Sequence, residues 1–503
     1  MDDSLTLREF ISFCGGGKKI TLCPEDKLAV LRGRATLETL QEKGSVYGTN
    51  TGVGPFFNQA VAPDDVNEFQ RRLLLSHASG IGPLLLREEV RGMMLLLINM
   101  LRKGYSGISW QTLEFLVDLF NRDIIPAIPS QGSLGASGDL APLAHLALVL
   151  IGEGRVLLDD GRKGKAAPAK FVPEFAQGTL RPSNLQSGEA LALINGTHMM
   201  TSLLAHTVHR AEILSKTADI IAVLTLLALK ANREALSAIF SHVKLHPGQR
   251  ETACNIAVLL KDIEEMASEN IQDGYSLRCI PQVHGAVKEA IVHAGSVAER
   301  EMNSVSGNPI FMYGKVFHGG NFHGHPLALS SDFLSIALTT LGGISQCRIN
   351  RLLDTTLSAG LPPYLASESE KGDCGLMMLQ YTAAALLSEN KTLSHPASVD
   401  SIPTAGGQED YVSMGALAAR KAKEICTNTQ KILAIELLCA FRALDLSRRF
   451  KNDYPNFLWA IRAIMQKNDS YQYLDKDIEN LTQVIESGKI LEEVEKCASF
   501  QMR

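Results

Sequence analysis

The chain has 503 residues, of which 45% are hydrophobic and 20% are charged, and its formal net charge at pH 7 is −5. This composition allows a large buried core and differs from that of a disordered chain. The acidic balance, together with the lack of a basic run, argues against a nucleic-acid surface, so we expect a small-molecule substrate. The chain has 9 cysteines and no CxxC pair, which indicates reduced thiols.

The N-terminus and the apolar segments predict neither secretion nor a membrane span. The first residues, MDDSLTLREF, lack the basic and apolar regions of a signal peptide. The longest candidate span, residues 220–229, is far shorter than the ~20 residues that cross a bilayer. We therefore expect a cytoplasmic protein without membrane contact.

In chain order, the first predicted elements are helices separated by turns. The segment from Pro24 has the proline and the acidic residues of a capped helix start. Next, YGTNTGVGPF forms a loop of glycines and threonines around the phenol of Tyr47. The apolar spacing of residues 69–78, 93–100 and 113–120 predicts three further helices.

The central stretch, QGSLGASGDLAPLAHLALVLI at 131–151, combines a run of tiny residues with an apolar helix. Asp139 is placed to cap that helix, so we predict a tight loop ahead of a helix N-terminus. The glycine spacing and the missing hydrophobic strand fit a dinucleotide fingerprint poorly, and the residues around Ser137 are not a GxSxG elbow. From the residues alone, a phosphate loop or a simple cap stays open.

The order Ala136-Ser137-Gly138 permits a third chemistry. Because Gly138 has no side chain, its amide nitrogen can approach the Ala136 carbonyl carbon and close a five-membered ring. Loss of water from that ring and of the Ser137 hydroxyl would leave an exocyclic methylidene. This product would be an electrophile made from the backbone.

The second half of the chain is mainly apolar and helical in pattern. Residues 154–175 have the turns and charges of a hairpin, where we expect the little β structure. Residues 187–229 predict one or two long buried helices around Asn195, whose amide needs a partner because an unsatisfied one costs about 1–3 kcal/mol. Arg278, in QDGYSLRC, has the forked group that binds a carboxylate. The stretch from residue 415 predicts an amphipathic helix at a surface or an oligomer contact.

Two histidine-rich segments invite a metal interpretation, which their spacing disfavours. HGGNFHGH, at 318–325, has no standard zinc spacing, and HVKLH, at 242–246, lacks the glutamate of HExxH. We therefore expect structural histidines and no metal.

The motif GSLGASGDLAPLAH resembles the signature of the aromatic amino acid ammonia-lyases. In that family the tripeptide becomes 4-methylideneimidazol-5-one (MIO), so the resemblance implies a cofactor formed from Ala136, Ser137 and Gly138, with no external cofactor. It implies a mainly all-α, fumarase/aspartase-like fold, with a long central helical bundle and a smaller mixed N-terminal part. It also implies one lyase unit over 1–503, with the MIO loop in 1–186 and the bundle in 187–503. The implied assembly is a homotetramer whose active sites combine several subunits.

Other segments are similar to the site motifs of this family. YGTNTG resembles YGxNTGFG, LINGT resembles LLNGT, GGNFHG matches directly, and QDGYSLRC resembles QDPYSLRC with Gly274 in place of proline, which we expect to make this loop less rigid. The resemblance implies a tyrosine as general base, with a glutamate as its rival. The implied residues are Tyr47, Ser137, Tyr275 and Glu409 for catalysis, Asn195, Gln272 and Phe322 for the MIO group, and His77, Arg278 and Glu409 for the substrate.

The substrate-determining segments are similar to those of histidine-specific members. Ser76-His77, HPASVDSIPT and QEDxVSM imply removal of ammonia from L-histidine to give trans-urocanate, the first step of histidine degradation. The chain departs from the pattern at Gly406-Gly407, in place of Ala-Asn, and at Tyr411, in place of a common histidine. A tyrosine or phenylalanine ammonia-lyase or a 2,3-aminomutase therefore stays open. A serine hydrolase and a catalytically silent helical scaffold are the alternatives from other classes.

Overall fold

The computed structural model describes residues 4–263, 270–366, 373–447, 455–468 and 473–503. Helices make up most of this described part. The α-helices are α1 (Leu7–Cys14), α2 (Pro24–Lys43), α3 (Val66–His77), α4 (Arg87–Leu101), α5 (Trp110–Asn121), α6 (Leu140–Leu150), α7 (Pro173–Ala176), α8 (Glu189–Ile194), α9 (His198–Ala228), α10 (Ala238–Val243), α11 (Pro247–Leu260), α12 (Tyr275–Arg278), α13 (Ile280–Met302), α14 (His325–Leu353), α15 (Met377–Leu393), α16 (Gly415–Leu446), α17 (Asn456–Asn468), α18 (Leu474–Glu486) and α19 (Lys489–Ala498). The strands are β1 (Ile81–Leu84), β2 (Pro129–Gln131), β3 (Arg155–Leu157), β4 (Ala166–Pro168), β5 (Ile310–Met312) and β6 (Lys315–Phe317).

The chain divides into two compact units, each assembled from three stretches of sequence. Unit 1 comprises Met1–His206, Gly295–Asp332 and Pro396–Arg420. Unit 2 comprises Thr207–Ala294, Phe333–His395 and Lys421–Arg503. The predicted single lyase unit, with parts at 1–186 and 187–503, stays a prediction, because compactness does not test functional unity.

The helices predicted from apolar spacing are present. α3, α4, α5 and α16 confirm four of them, but α16 is mostly buried and is not the surface helix that was predicted. α2 starts where the sequence placed a cap, with the Cys23 amide donating to Asp26 Oδ2 at 2.9 Å. The apolar stretch from residue 187 folds as two helices, α8 and α9. Asn195 lies at their junction in an extended conformation (φ −98°, ψ 110°) and not inside a helix.

The β structure is more widely distributed than the sequence predicted. β3 and β4 form the expected antiparallel hairpin, with Arg155 opposite Pro168. Two further antiparallel pairs were not predicted: β1 with β2, and β5 with β6. All three pairs belong to unit 1, and β2 ends at Gln131, immediately before the small-residue loop.

One helix among the described residues, α14, is long and apolar enough by length and composition to cross a bilayer. However, 61% of its most apolar window is buried inside the protein. Its Arg348 is also completely buried and paired with Glu436. These features are those of a core helix, so the helix is weak support for a membrane span.

A chain of buried charged groups crosses the core of unit 2. Lys288 Nζ lies 2.7 Å from Asp219 Oδ2, and His284 Nδ1 lies 2.8 Å from Asp219 Oδ1. Arg348 donates to both oxygens of Glu436, at 2.5 and 2.8 Å, and its Nη1 lies 3.4 Å from His284 Nε2. Burial lowers the pKa of His284, so the ring is neutral and links the two ion pairs.

Candidate active site

The tripeptide Ala136-Ser137-Gly138 lies between β2 and α6, and the backbone at its third residue suits only glycine. Gly138 has a φ of +75°, and a Cβ placed on it would lie 2.2 Å from the Gly196 carbonyl oxygen. The two glycines pair as an isolated β-bridge, and the Asp139 amide donates to the same Gly196 oxygen at 2.7 Å. The loop is therefore pressed against the junction between α8 and α9.

Asp139 precedes α6, but its side chain does not cap that helix as the sequence predicted. Its Oδ2 instead accepts hydrogen bonds from the amides of Met199 and Met200, at 2.8 and 3.0 Å, in the first turn of α9. Burial raises the pKa of Asp139 to about 6, against the opposing effect of these hydrogen bonds and of the one from Ser133. The carboxyl group thus ties the loop to the start of a helix of 31 residues.

The segment around residue 413 holds the other side of the loop. The Ser413 hydroxyl donates to the Gly135 carbonyl at 2.9 Å, and the Met414 amide donates to the Leu134 carbonyl at 2.8 Å. Leu134 and Ala136 also pack against an apolar cluster that includes Val412. Contacts on both sides explain how a run of tiny residues keeps one conformation.

Ser137 makes two contacts that bear on its chemistry. Its hydroxyl donates to Glu409 Oε1 at 2.8 Å, and its carbonyl oxygen accepts from Asn195 Nδ2 at 3.3 Å. The Asn195 Oδ1 atom is buried and has no hydrogen-bond partner among the described residues. A carboxylate and an amide therefore meet the same serine.

A tight hairpin positions Glu409. Thr404 donates its amide to the Glu409 carbonyl at 2.9 Å and its hydroxyl to Glu409 Oε2 at 2.8 Å. Between them, Ala405, Gly406 and Gly407 have φ values of 51°, 64° and 86°. Glycine adopts such angles at little cost, so Gly406-Gly407 suits this turn better than residues with a side chain. The departure from the family pattern therefore has a local structural reason.

These groups face a cavity of about 630 Å³ in unit 1. Two carboxylates, two phenols and several other ring side chains line it, and among the described residues the lining contains neither arginine nor lysine. The Tyr47 oxygen accepts a hydrogen bond from the Gly54 amide at 2.9 Å, and its ring lies edge-on to His318 at 6.0 Å. The lining residues are Tyr47, Gly54, Phe57, Ala136, Ser137, Asn195, Asn308, His318, Gly319, Phe322, His323, Gln408, Glu409, Asp410 and Tyr411.

Three rings, those of His323, His325 and Tyr411, pack together at this cavity. His323 stacks on Tyr411 with an interplanar angle of 10° and a centroid distance of 6.2 Å. His325 lies 5.9 Å from His323 and 6.0 Å from Tyr411. Among the described residues, no group of three or more potential ligands has the arrangement of a metal site. Tyr411, at the position where the family pattern has histidine, thus takes part in ring stacking.

Six predicted site residues line the cavity together: Tyr47, Ala136, Ser137, Asn195, Phe322 and Glu409. His77 is not among the lining residues, and its Nδ1 lies 2.8 Å from the Leu73 carbonyl of its own helix.

Gln272, Tyr275 and Arg278 belong to unit 2. Tyr275 and Arg278 form the ends of the short helix α12 instead of a loop, and the guanidinium lies 4.7 Å from the Tyr275 ring centre. A Cβ on Gly274 would lie 2.5 Å from Arg351 Nη1, so the missing side chain makes room for that arginine.

Thr404, Asp410 and His318 also belong to the site, although the sequence motifs did not predict them. Gly406-Gly407, shortly after Thr404, is a turn signal typical of a hairpin. It would have predicted the pairing of Thr404 with Glu409. Asp410 directly follows Glu409, and His318 belongs to the same segment as Phe322, but neither residue has a local signal of its own.

Taken together, these observations define a mainly helical protein with a cavity in which one serine meets both a carboxylate and an amide. A sequence model of the family described as aromatic amino acid lyase matches residues 5–466. The chain belongs to the aromatic amino acid lyase family.

Curated relatives and solved structures agree with this assignment. The chain is 45% identical to the histidine ammonia-lyase of Gloeobacter violaceus over 501 residues, which cover 98% of this chain and 96% of the relative. It superposes on the tyrosine aminomutase of Streptomyces globisporus with a TM-score of 0.92 at 34% identity, covering 99% and 98% of the two chains. The histidine ammonia-lyase of Trypanosoma cruzi gives a TM-score of 0.88 at 35% identity, covering 98% and 94%. These neighbours confirm the predicted all-α, fumarase-like fold class.

Proposed function

We propose that this protein is an ammonia-lyase that converts L-histidine to trans-urocanate and ammonia in the cytoplasm. The observation that carries the proposal is the contact of Ser137, in an Ala-Ser-Gly tripeptide, with both Glu409 and Asn195. The same cavity contains the Tyr47 hydroxyl. The 45% identity to a histidine ammonia-lyase over nearly the whole chain supports this choice of substrate.

The residues present fit an MIO group formed from Ala136, Ser137 and Gly138. Gly138 has no space for a side chain, Asn195 donates to the Ser137 carbonyl, and the buried Asn195 Oδ1 has no partner among the described residues. When formed, this group supplies an electrophile that takes up the substrate amino group and makes it a better leaving group. Asn195 would polarise the MIO oxygen, and Phe322 would pack against the ring.

Tyr47 and Glu409 divide the remaining chemistry in this proposal. The Gly54 amide fixes the Tyr47 oxygen at the cavity wall, where it removes a hydrogen from the substrate Cβ. Thr404 fixes one oxygen of Glu409, so the carboxylate presents its other oxygen to the imidazole N–H of the substrate. Glu409 as the base is the rival assignment.

The substrate carboxylate needs a cation, and the described residues of the cavity lining include neither arginine nor lysine. Glu409 and Asp410 would repel the carboxylate. We infer that Arg278 comes from another copy in a homotetramer, with Gln272 beside the MIO group and Tyr275 orienting substrate or relaying a proton. Ile271 and Tyr275 support this, because they are 94% and 72% exposed in the single chain.

His77 completes the proposed substrate site. The Leu73 carbonyl holds its Nδ1, so Nε2 is the atom that would meet the substrate ring.

A tyrosine or phenylalanine ammonia-lyase, or a 2,3-aminomutase, is the second candidate. Two observations favour it: Tyr411 stacks on His323 beside the cavity, and a tyrosine aminomutase superposes with a TM-score of 0.92. All of these activities use the same tripeptide, so the substrate distinguishes them.

Intact-mass measurement combined with an ultraviolet assay for urocanate tests the proposal. We expect a chain lighter by two water molecules and product from L-histidine alone among L-histidine, L-tyrosine and L-phenylalanine. A chain of unmodified mass that is nevertheless active would refute the MIO proposal. Cinnamate or coumarate products, or a β-amino acid, would instead establish the second candidate.

A further inference from the structure

The contact between Ser137 and Glu409 joins the two groups before any ring exists. In the unmodified chain the serine hydroxyl donates to Glu409 Oε1 at 2.8 Å, and Thr404 holds Oε2 at 2.8 Å. If Glu409 served only to bind the substrate, it would not need to contact the Ser137 hydroxyl, which maturation removes.

We propose that Glu409, oriented by Thr404, is the proton carrier that dehydrates Ser137 when the tripeptide matures. This inference rests on the proposed function, because it concerns how its electrophile is made. The same carboxyl group then serves twice: it first removes the hydroxyl, and it later meets the substrate in the space which that hydroxyl leaves.

The atoms balance without a further reactant. In ring closure the Gly138 nitrogen bonds to the Ala136 carbonyl carbon, and that carbonyl oxygen leaves as water with one hydrogen from each of the Gly138 and Ser137 amides. In the second step Glu409 takes the Ser137 Cα hydrogen as a proton and the Cα=Cβ double bond forms. The Cβ–Oγ bond breaks, and Glu409 returns the proton to the leaving oxygen. Nothing is oxidised or reduced by an outside reagent.

The geometry suits this order of steps. Gly138 is held against Gly196 with a φ of +75°, which brings the loop into a tight bend. Oγ and Cα of a serine are joined through one carbon atom, so a carboxylate fixed at Oγ also lies near the Cα hydrogen. The hydrogen bond from Thr404 keeps the Glu409 side chain from rotating away from Ser137. Thr404 is therefore a positioning residue.

The test weighs newly made chains. Protein synthesised in a cell-free translation reaction is sampled over time, and its intact mass shows the loss of no, one or two water molecules. We expect Glu409→Gln to accumulate the species lacking one water, with the second loss slowed by about 100-fold or more, as for removal of a general acid–base group. A small thiol, which adds to the methylidene, should label the wild type and not this species.

Three further variants separate chemistry from folding. We expect Thr404→Val to slow the second loss by about 10-fold or more, the worth of one hydrogen bond to a charged group, and Thr404→Ser to restore the wild-type rate. Tyr47→Phe should lose both waters at the normal rate although it turns over little substrate. These results do not depend on the Glu409 variant folding.

The inference fails if Glu409→Gln loses both waters at the wild-type rate. A folded Glu409→Gln chain of unchanged mass, or a Thr404→Ser chain as slow as Thr404→Val, also overturns it. Full maturation of Glu409→Gln without turnover would refute the maturation role and leave the proposed function intact. A wild-type chain that loses no water would instead refute the proposed function itself.

Discussion

Replacing Gly138 with alanine tests whether the backbone geometry of the loop is required for maturation. The variant changes no acid, base or hydroxyl, and it adds a single methyl group. That methyl carbon would lie 2.2 Å from the Gly196 carbonyl oxygen, on a residue whose φ is +75°. Either the loop or the junction between α8 and α9 must therefore move.

The size of the effect follows from two contributions. Forcing an L-residue into the left-handed region costs about 1–2 kcal/mol. Displacing the Gly196 carbonyl breaks its 2.7 Å hydrogen bond from the Asp139 amide, and an unsatisfied buried group costs about 1–3 kcal/mol. The variant should therefore lose about 2–5 kcal/mol of unfolding free energy. With an unfolding entropy of about 2.1 cal/mol/K per residue, this corresponds to a fall in Tm of about 2–5 °C for this chain.

Calorimetry and intact-mass measurement check the outcome, with Gly164→Ala as the matched control. Gly164 has a φ of +64°, and an added Cβ there would meet no atom within 4 Å, so this variant carries the strain without the collision. We expect Gly138→Ala to fold and keep its unmodified mass, and Gly164→Ala to mature fully with a Tm lower by about 1–2 °C. If Gly138→Ala lost two waters and turned over substrate like Gly164→Ala, the steric reasoning would be refuted.

Three other changes give equally direct outcomes. Ser137→Ala should abolish turnover while lowering the unfolding free energy by no more than about 3 kcal/mol, the worth of a hydrogen bond to a charged group; near-native turnover in an activity assay would contradict this. Arg348→Met should cost about 3–5 kcal/mol in denaturant unfolding because it leaves Glu436 charged and buried, and adding Glu436→Leu should recover most of that loss; equal losses in the single and double variants would show that the pair is not coupled. Because the pKa of Asp139 is raised to about 6, its contribution to stability is complete below pH ~4, the unfolded value, and is lost as the pH rises through about 6. Thermal melting of wild type and Asp139→Asn from pH 4 to 7 should show the variant gaining up to about 3 kcal/mol relative to wild type over this range, and parallel curves would count against that assignment.

Local signals in the sequence predicted local structure well. Pro24 and the acidic residues after it marked the start of α2, and Asp26 does accept the Cys23 amide there. The hairpin of β3 and β4 followed from turns and charges within a few residues. The β5–β6 pair was not predicted, although Gly314 lies in its turn, where Tyr313 and Gly314 have φ values of 55° and 70°.

Local sequence signals did not predict contacts between residues that are far apart in the chain. Asp139 has the right chemistry for a helix cap, but its partners are amides 60 and 61 positions further along the chain. The contact of Ser137 with Glu409 spans 272 positions. Only the resemblance to a family placed those two residues in one site, and it gave no reason for Gly406-Gly407, which became clear from the turn that holds Glu409.

The capping of α9 by Asp139 also bears on the timing of synthesis. Residues 134–139 acquire their bend from Gly196, from the amides of Met199 and Met200, and from Ser413, all of which leave the ribosome later. Under the proposed maturation, a nascent or misfolded chain would therefore carry an unreacted Ala-Ser-Gly segment and no electrophile that could alkylate cellular thiols. Reactivity would be confined to chains that have already folded.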